Sequence, residues 1–331
     1  MTRVARRPAV GQRRPAHPAA IVLGWALVGP SAALAVARMA RTEDHPVVVM
    51  AQALTPLFTL PSLAAVVVGA AARRRSLTAV AGALTGLHLA WALPELRLSG
   101  RPVEASNGSR MRLFCANLLR TNSRTEGIAA EIRESGADVV ALQEVSPLNL
   151  DGLEASGALE SFPYQCVDPR PDHFGTAVFS RLPLEDVEPW QAAGLPVPRM
   201  TVVVDDRRVR LYNVHVRAPM RRGWPEQWRA QLAQLARARA AERGPVVMAG
   251  DFNATSGHHS FRALLDAGLR DAHVERGRWW ATTWRRDLLL VPPLARLDHV
   301  LVSPEVGVLE VWEGKGAGSD HRPVIADLAL P

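Results

Sequence analysis

Three uncharged apolar runs occupy most of the first hundred residues and limit what the chain can be. Ala19–Ala37 has about the length a helix needs to cross a bilayer. Pro46–Ala72 is longer and contains Pro56 and Pro61, which membrane helices tolerate because neighbours satisfy the freed backbone groups. Leu77–Leu93, with His88 inside it, is the weakest of the three. Residues 1–18 carry Arg3, Arg6, Arg7, Arg13 and Arg14 with no acid, and read as a disordered basic tail. Residues 19–97 read as a transmembrane region of about three helices. Further apolar runs follow the first, so an uncleaved helix is expected rather than a signal peptide. The arginines before the first run and Arg73–Arg75 after the second place those segments in the cytoplasm. If the third run crosses, everything after Pro94 is extracytoplasmic and the protein is multi-pass. If it does not, the remainder faces the cytoplasm.

Leu98–Ser109, with Gly100, Pro102, Asn107 and Gly108, reads as a linker (98–109). From Arg110 the pattern changes to strands and helices in alternation, and residues 110–331 form the second domain. Met111–Ala116, Asp138–Leu142, Thr176–Phe179, Arg199–Val204, Val209–Val216, Leu297–Val302, Val306–Val311 and Val324–Leu328 read as strands. Arg124–Ser135, Glu226–Glu242 and Phe261–Ala267 read as helices, the first stopped by Gly136. This order implies a layered α/β domain. The net charge of +7, nearly all from arginine, fits a phosphate-bearing partner or a membrane flank. The two cysteines, Cys115 and Cys166, exclude a disulfide scaffold and a thiolate metal cluster, and read as core residues.

Within the second domain, polar residues recur at the ends of apolar strands. The most informative stretch is Pro245–Ala254, where four apolar residues lead into Gly250-Asp251-Phe252-Asn253. In extended chain Asp251 and Asn253 would point the same way and could hold a water and the oxygen it attacks, although Gly-Asp and Asn also make ordinary turns. Asn117, Glu144, His215, Asp298 and the pair Asp320-His321 occupy similar positions. A charge beside a buried strand is costly unless paired or bound to metal, so their recurrence points to one convergent site. The carboxylate of Glu144 suits Mg²⁺ or Mn²⁺. Asp298 could orient an imidazole such as His321. No nucleophile motif, phosphate loop or zinc spacing is present, which favours metal-assisted attack by water.

Taken in order, Asn117, Gln143-Glu144, Gly175–Arg181, Asn213-Val214-His215, Gly250–Asn253, Leu297-Asp298-His299 and Ser319–Pro323 resemble the motif series of the endonuclease/exonuclease/phosphatase superfamily. The resemblance covers about Arg110 to Leu330 and extends to a membrane-anchored bacterial branch. It implies a DNase-I-like four-layer α/β/β/α sandwich with the site at one edge between the sheets. By the same resemblance Glu144 is the main metal ligand, with Asn117 beside it and Asp320 nearby. Asp251 orients or deprotonates the water, Asn253 holds a phosphate oxygen, His321 stabilises developing charge with Asp298 behind it, and His215 contacts phosphate or assists the leaving group. Which of Asp251 and His321 acts as base is left open.

The expectation is a membrane-anchored, Mg²⁺-dependent phosphoesterase, cleaving a phosphodiester or phosphomonoester. Its partners would be the lipid bilayer and a phosphate ester: a lipid head group, a wall polymer or nucleic acid. Two other readings remain: a cytoplasmic-facing nuclease acting on DNA or RNA, and a catalytically silent membrane binding module. Trp279, Trp280 and Trp284, before Asp298, could line a substrate rim or pack within their loop.

Overall fold

The computed structural model describes residues 18–93, 108–284 and 295–331. The basic tail and most of the 98–109 linker lie outside the described residues. The chain divides into two units, Met1–Val36 with Pro56–Trp91 and Ala37–Thr55 with Ala92–Pro331.

Helices α1 (Pro18–Met39), α3 (Thr55–Ala71) and α4 (Arg75–Ala92) supply the first unit, and the short α2 (Pro46–Ala53) falls in the second. The second apolar run is therefore two helices, broken at Leu54. The first unit buries a small apolar cluster of Val28, Ala65, Leu77 and Ala81 together with several polar side chains, and leaves large aliphatic side chains outside. Ser31, Ser62, Thr85 and His88 are buried, while Val22, Leu23, Leu60 and Val67 are exposed. The buried groups satisfy one another: Thr85 Oγ1 donates to Ser62 Oγ at 2.9 Å and Ser31 Oγ to the Phe58 carbonyl at 2.7 Å. Large aliphatic side chains exposed in this number around hydrogen-bonded hydroxyls are uncommon in a small water-soluble bundle. By length and hydropathy α1 qualifies as a span; the broken pair α2 plus α3 would qualify as a second if counted together, and α4 does not reach the same hydropathy.

The second unit opens with β1 (Arg110–Asn117), α5 (Thr125–Ser135), β2 (Val139–Gln143), α6 (Pro147–Ala155), β3 (Tyr164–Asp168) and β4 (Thr176–Ser180). Then come β5 (Leu184–Glu188), the small hairpin of β6 (Gln191–Ala192) and β7 (Leu195–Pro196), β8 (Arg199–Val204) and β9 (Arg207–His215). Next are α7 (Trp224–Ala241), β10 (Val246–Asp251), α8 (His259–Asp266), β11 (Arg270–Asp271) and α9 (Ala272–Glu275). Finally β12 (Asp298–Val302), β13 (Gly307–Glu313) and β14 (Val324–Ala329) complete the unit. One sheet has the order β13-β14-β1-β2-β4-β3 and the other β11-β12-β10-β9-β8-β5.

Alternation along the strands builds four layers. Met111, Leu113, Cys115, Val139 and Ala141 of the first sheet meet Leu211, Val247, Ala249, Val300 and Val302 of the second. Their neighbours face outward. Phe114, Val140 and Leu142 pack on Ile128 and Ile132 of α5 and Leu153 of α6. Tyr212, Val214, Val246 and Met248 pack on Trp228, Leu232 and Leu235 of α7 and Phe261 of α8. The central strands thus bury both faces, which is why they read as continuous apolar runs. This is the α/β/β/α sandwich expected from sequence. Cys115 is buried in the interlayer core, and Cys166, on the edge strand β3, is only half-buried; both are free.

Residues 37–55 are tied into this unit by side chains far along the chain. The buried Glu43 carboxylate accepts from the His259 amide at 2.5 Å and from the Ser260 amide and hydroxyl, so it caps the N-terminus of α8. His258 Nδ1 accepts from the Thr255 amide at 2.9 Å, which leaves Nε2 protonated to donate to the Val49 carbonyl at 2.9 Å.

Gly250 decides how closely β10 can approach β9. Its φ is +146°, and a β-carbon there would lie 1.8 Å from the Val214 carbonyl oxygen. Gly250→Ala should therefore cost more than about 3 kcal/mol, the sum of backbone strain and a forced shift of β9. Thermal unfolding of the purified variant measures this, and an unchanged midpoint would refute the packing argument.

Candidate active site

The ladder registers bring the polar strand ends to one edge. Asn117 and Gln143 are partners at the ends of the parallel pair β1–β2. His215 and Asp251 are partners at the ends of the parallel pair β9–β10, and Asp298 opens β12 directly opposite Asp251. His321 lies in the loop before β14, whose Val324 pairs with Cys115 of β1. The first sheet and its loops contribute Asn117, Glu144, Asp320 and His321; the second contributes His215, Asp251, Asn253 and Asp298. Glu144, His215, Asp251, Asn253, Asp320 and His321 line one cavity of about 390 Å³. Asn117 and Asp298 stand behind that lining, each hydrogen-bonded to a residue in it.

Asp251 is the centre of this group. Its Oδ2 accepts from Asn117 Nδ2 at 3.1 Å and Asn253 Nδ2 at 3.1 Å, and lies 3.8 Å from both His215 Nε2 and His321 Nε2. The Asn253 amide donates to Asp251 Oδ1 at 2.8 Å, with Asn253 at φ +46°. A left-handed turn closed on the Asp251 carboxylate brings the two side chains together, not the extended chain that their spacing suggested. The turn and the site are the same feature. Burial pushes the Asp251 carboxyl up to about 6, with the Asp298 charge adding to it and His321 and His215 opposing it.

His321 Nδ1 donates to Asp298 Oδ2 at 2.7 Å, which fixes the ring with Nε2 toward Asp251. Burial alone would lower this imidazole, but the charges of Asp298 and Asp251 overcome it and raise it to about 10. The loop is held on both sides: Ser319 Oγ donates to the Asn117 carbonyl at 2.8 Å and the Arg322 amide to the Thr283 carbonyl at 2.8 Å. Thr283 Oγ1 in turn accepts from the Asp298 amide at 3.1 Å.

Glu144 follows β2 at φ +54°, a strained conformation for a side-chain-bearing residue. Its Oε2 accepts from the Arg120 amide at 3.1 Å and lies 3.0 Å from His173 Nδ1; Oε1 is 3.4 Å from Asn117 Nδ2 and 4.0 Å from His215 Nε2. Burial works against its charge, and His215, the Arg120 amide and His173 together bring its pKa below the usual range. Asp251, Asp298 and His321 also bring one donor atom each within 4.8 Å of one another. There, however, Asp298 and His321 already hold each other, and the donors mix nitrogen with oxygen. Glu144 and the half-buried Asp320 line the cavity with oxygens of the kind a hard divalent cation takes, and Asn117 stands behind them with Nδ2 3.4 Å from Glu144 Oε1.

Several lining residues carried no sequence signal. His173 and Phe174 sit in an exposed loop without apolar periodicity. Arg217 stacks over Phe174 at 5.0 Å and over Trp224 at 4.7 Å, and Arg221 over Trp224 at 4.9 Å. Of the three tryptophans, Trp284 lines the cavity, whereas Trp279 and Trp280 are exposed and meet edge-on at 5.8 Å.

Residues 113–321 match the Endonuclease/Exonuclease/phosphatase family. A search of curated proteins finds no match. Among solved structures, D. rerio TDP2 complexed with single-strand DNA product is 17% identical with a TM-score of 0.58, covering 67% of this chain and 100% of that one. Humanized D. rerio TDP2 carrying 14 mutations is 17% identical with a TM-score of 0.57, covering 67% and 99%. The endonuclease/exonuclease/phosphatase from Bacteroides vulgatus is 19% identical with a TM-score of 0.55, covering 67% and 100%. At these identities the likeness is one of fold, whereas the family match covers most of the chain and every strand end that builds the cavity. The chain belongs to the endonuclease/exonuclease/phosphatase family and is a hydrolase of phosphoester bonds.

Proposed function

We propose that this protein is a membrane-anchored, Mg²⁺-dependent phosphodiesterase with its catalytic unit on the extracytoplasmic side. The observation that carries the chemistry is the convergence of Asn117, Asn253, His215 and His321 on one oxygen of a buried carboxylate, Asp251, beside Glu144. Glu144, Asn117 and Asp320 would hold the cation. When bound it supplies charge neutralisation at the phosphoryl oxygen and helps orient the water.

The chain's own groups divide the remaining work. Asp251, ionised above about pH 6, accepts the proton of the attacking water. His321, still protonated at neutral pH because Asp298 backs it, presents Nε2–H to the charge developing on phosphorus oxygens. Asn253 Nδ2 donates to the Val216 carbonyl at 2.9 Å and to Asp251 Oδ2 at 3.1 Å and so positions that carboxylate, and His215 Nε2 lies 3.8 Å from the same oxygen.

The anchoring is supported by the first unit, which exposes Val22, Leu23, Leu60 and Val67 while burying Ser31, Ser62 and Thr85. Residues 37–55 fold with the catalytic unit, so the segment after α1 and the domain after α4 share one side of the membrane. With the arginine-rich N-terminus and Arg73–Arg75 in the cytoplasm, that side is the outer one, and both α3 and α4 cross.

Asp251→Asn and His321→Ala should each reduce kcat on bis-p-nitrophenyl phosphate by ~100-fold or more while leaving the unfolding midpoint near its parent value. Near-normal turnover in either purified variant removes that residue from the mechanism. In the same assay Glu144→Gln should raise the Mg²⁺ concentration giving half-maximal rate. The pH profile should be bell-shaped. Activity is lost as pH falls and Asp251 takes up a proton, at or below about pH 6, and again as pH rises and His321 loses its proton near 10. Asp298→Asn should move the alkaline limb down by several units, and an unmoved limb would disconnect Asp298 from His321. Protease added to intact cells should remove a tag placed after Pro331. Protection until lysis would put the domain in the cytoplasm.

A further inference from the structure

One wall of the catalytic cavity comes from outside the four-layer sandwich. Pro46, Val49, Met50 and Ala53 of α2 line the cavity together with Glu144, His215, Asp251 and His321. The spacing i, i+3, i+4, i+7 places all four on a single helix face. The helix, Pro-Val-Val-Val-Met-Ala-Gln-Ala, carries no charge along its length. Across the cavity stand Phe174, Met220 and Trp224, with Met220 52% exposed. The cavity thus joins the polar catalytic group to a lining that is largely aliphatic and aromatic, with Arg217 and Arg221 among it. The wall is fixed rather than loosely laid on. Glu43 caps α8 just before it, His258 donates to the Val49 carbonyl, and Gly257 leaves so little room that a β-carbon there would meet the Gln52 carbonyl oxygen at 2.1 Å. After Ala53 a single residue, Leu54, leads into the apolar helix α3.

We propose that the substrate is a membrane phospholipid, whose phosphate reaches the Asp251–His321 pair while its acyl portion lies along the α2 face. The proposal rests on the phosphodiesterase reading above and specifies its substrate class. A nucleic-acid strand needs cations along its backbone and stacking surfaces for successive bases. α2 offers neither, and the cations at the rim, Arg217 and Arg221, suffice for one head-group phosphate. An acyl chain gains about 0.8 kcal/mol for each methylene it buries, and the uncharged α2 wall provides that burial beside the reacting phosphate. The bond broken is a phosphorus–oxygen ester bond. Water adds to phosphorus and gives its proton to Asp251, the alkoxide leaves with the proton of His321 Nε2, and the proton held by Asp251 restores His321.

The test uses the full-length protein, purified in detergent and assayed with Mg²⁺ on three probes: vesicles of phosphatidylethanolamine, phosphatidylglycerol and phosphatidylinositol, bis-p-nitrophenyl phosphate, and a single-stranded DNA oligonucleotide. Vesicle lipids should be hydrolysed. Met50→Asp and Ala53→Asp, which place a charge on the wall, should each lower the ratio of lipid to soluble-ester turnover by about ten-fold, a discrimination of about 1.4 kcal/mol. Two variants are used so that one which fails to fold leaves the other to decide. Cleavage of the soluble ester or the oligonucleotide with vesicles untouched overturns the lipid assignment alone. An unchanged ratio in a folded variant overturns the role of α2. No hydrolysis of any probe overturns the phosphodiesterase reading beneath both.

Discussion

The site depends on a hydrogen-bonded amide pair buried between the two sheets. Gln143 ends β2 and Asn213 lies in β9, both without solvent exposure, and Gln143 Nε2 donates to Asn213 Oδ1 at 2.6 Å. Asn213 Nδ2 donates in turn to the carbonyls of Leu142 and Ala177 in the first sheet, at 2.9 and 3.2 Å. An interlayer core of valine, leucine and alanine is nearly indifferent to a small slide of one sheet over the other. A slide that parts these amides leaves buried polar atoms unsatisfied, at about 1–3 kcal/mol each. The pair therefore sets the register of sheet on sheet, and the register decides whether Asn117 meets Asp251 and His321 meets Asp298. One residue beyond this lock, at Glu144, the chain is free to serve chemistry.

Past the lock the backbone departs from easy conformations. Leu119, Glu144 and Asn253 all have positive φ, and all lie in the turns that close over the cavity. Each costs about 1–3 kcal/mol that the surrounding contacts must offset. The side chains repeat the pattern: Asp251 is raised by burial, and His321 is raised by two carboxylates against its burial. Two groups whose affinities for a proton are pushed so that the acid is ionised while the imidazole stays charged form an acceptor and a donor at one pH. Neither would be tolerated in a core built only for stability.

The alternating pattern of buried strands was readable in the sequence because each has two faces to bury, and the polar residues ending them stood out by contrast. β3 and β5 were not readable. Tyr164–Asp168 and Leu184–Glu188 are edge strands with mostly exposed side chains, so neither periodicity nor hydrophobicity marks them. The Asp251–Asn253 pairing was legible as a pair but not as a turn, since the spacing of two fits both and the positive φ of Asn253 leaves no trace in composition. His173 and Arg217 were invisible for a simpler reason. Their place at the cavity follows from loops crossing it, and sequence spacing says nothing about where a loop crosses.

The segment 37–55 was illegible for a further reason, and it changes how the chain is understood. The hydropathy of Pro46–Ala53 is that of a membrane segment, and nothing local distinguishes it from Thr55–Ala71. What distinguishes it is Glu43, an acid whose carboxylate would be costly to bury without donors. The donors are the amides of His259 and Ser260, more than two hundred residues away, at the start of a helix that itself lacks a side-chain cap from its own N-cap residue. Each side lacks what the other supplies: α8 presents unpaired amides, and the 37–55 segment presents an unpaired carboxylate. The catalytic unit is therefore complete only when the N-terminal segment is in place. A chain that begins at Arg110 would retain both sheets and the polar catalytic group, but it would lose the cap of α8 and one wall of its cavity.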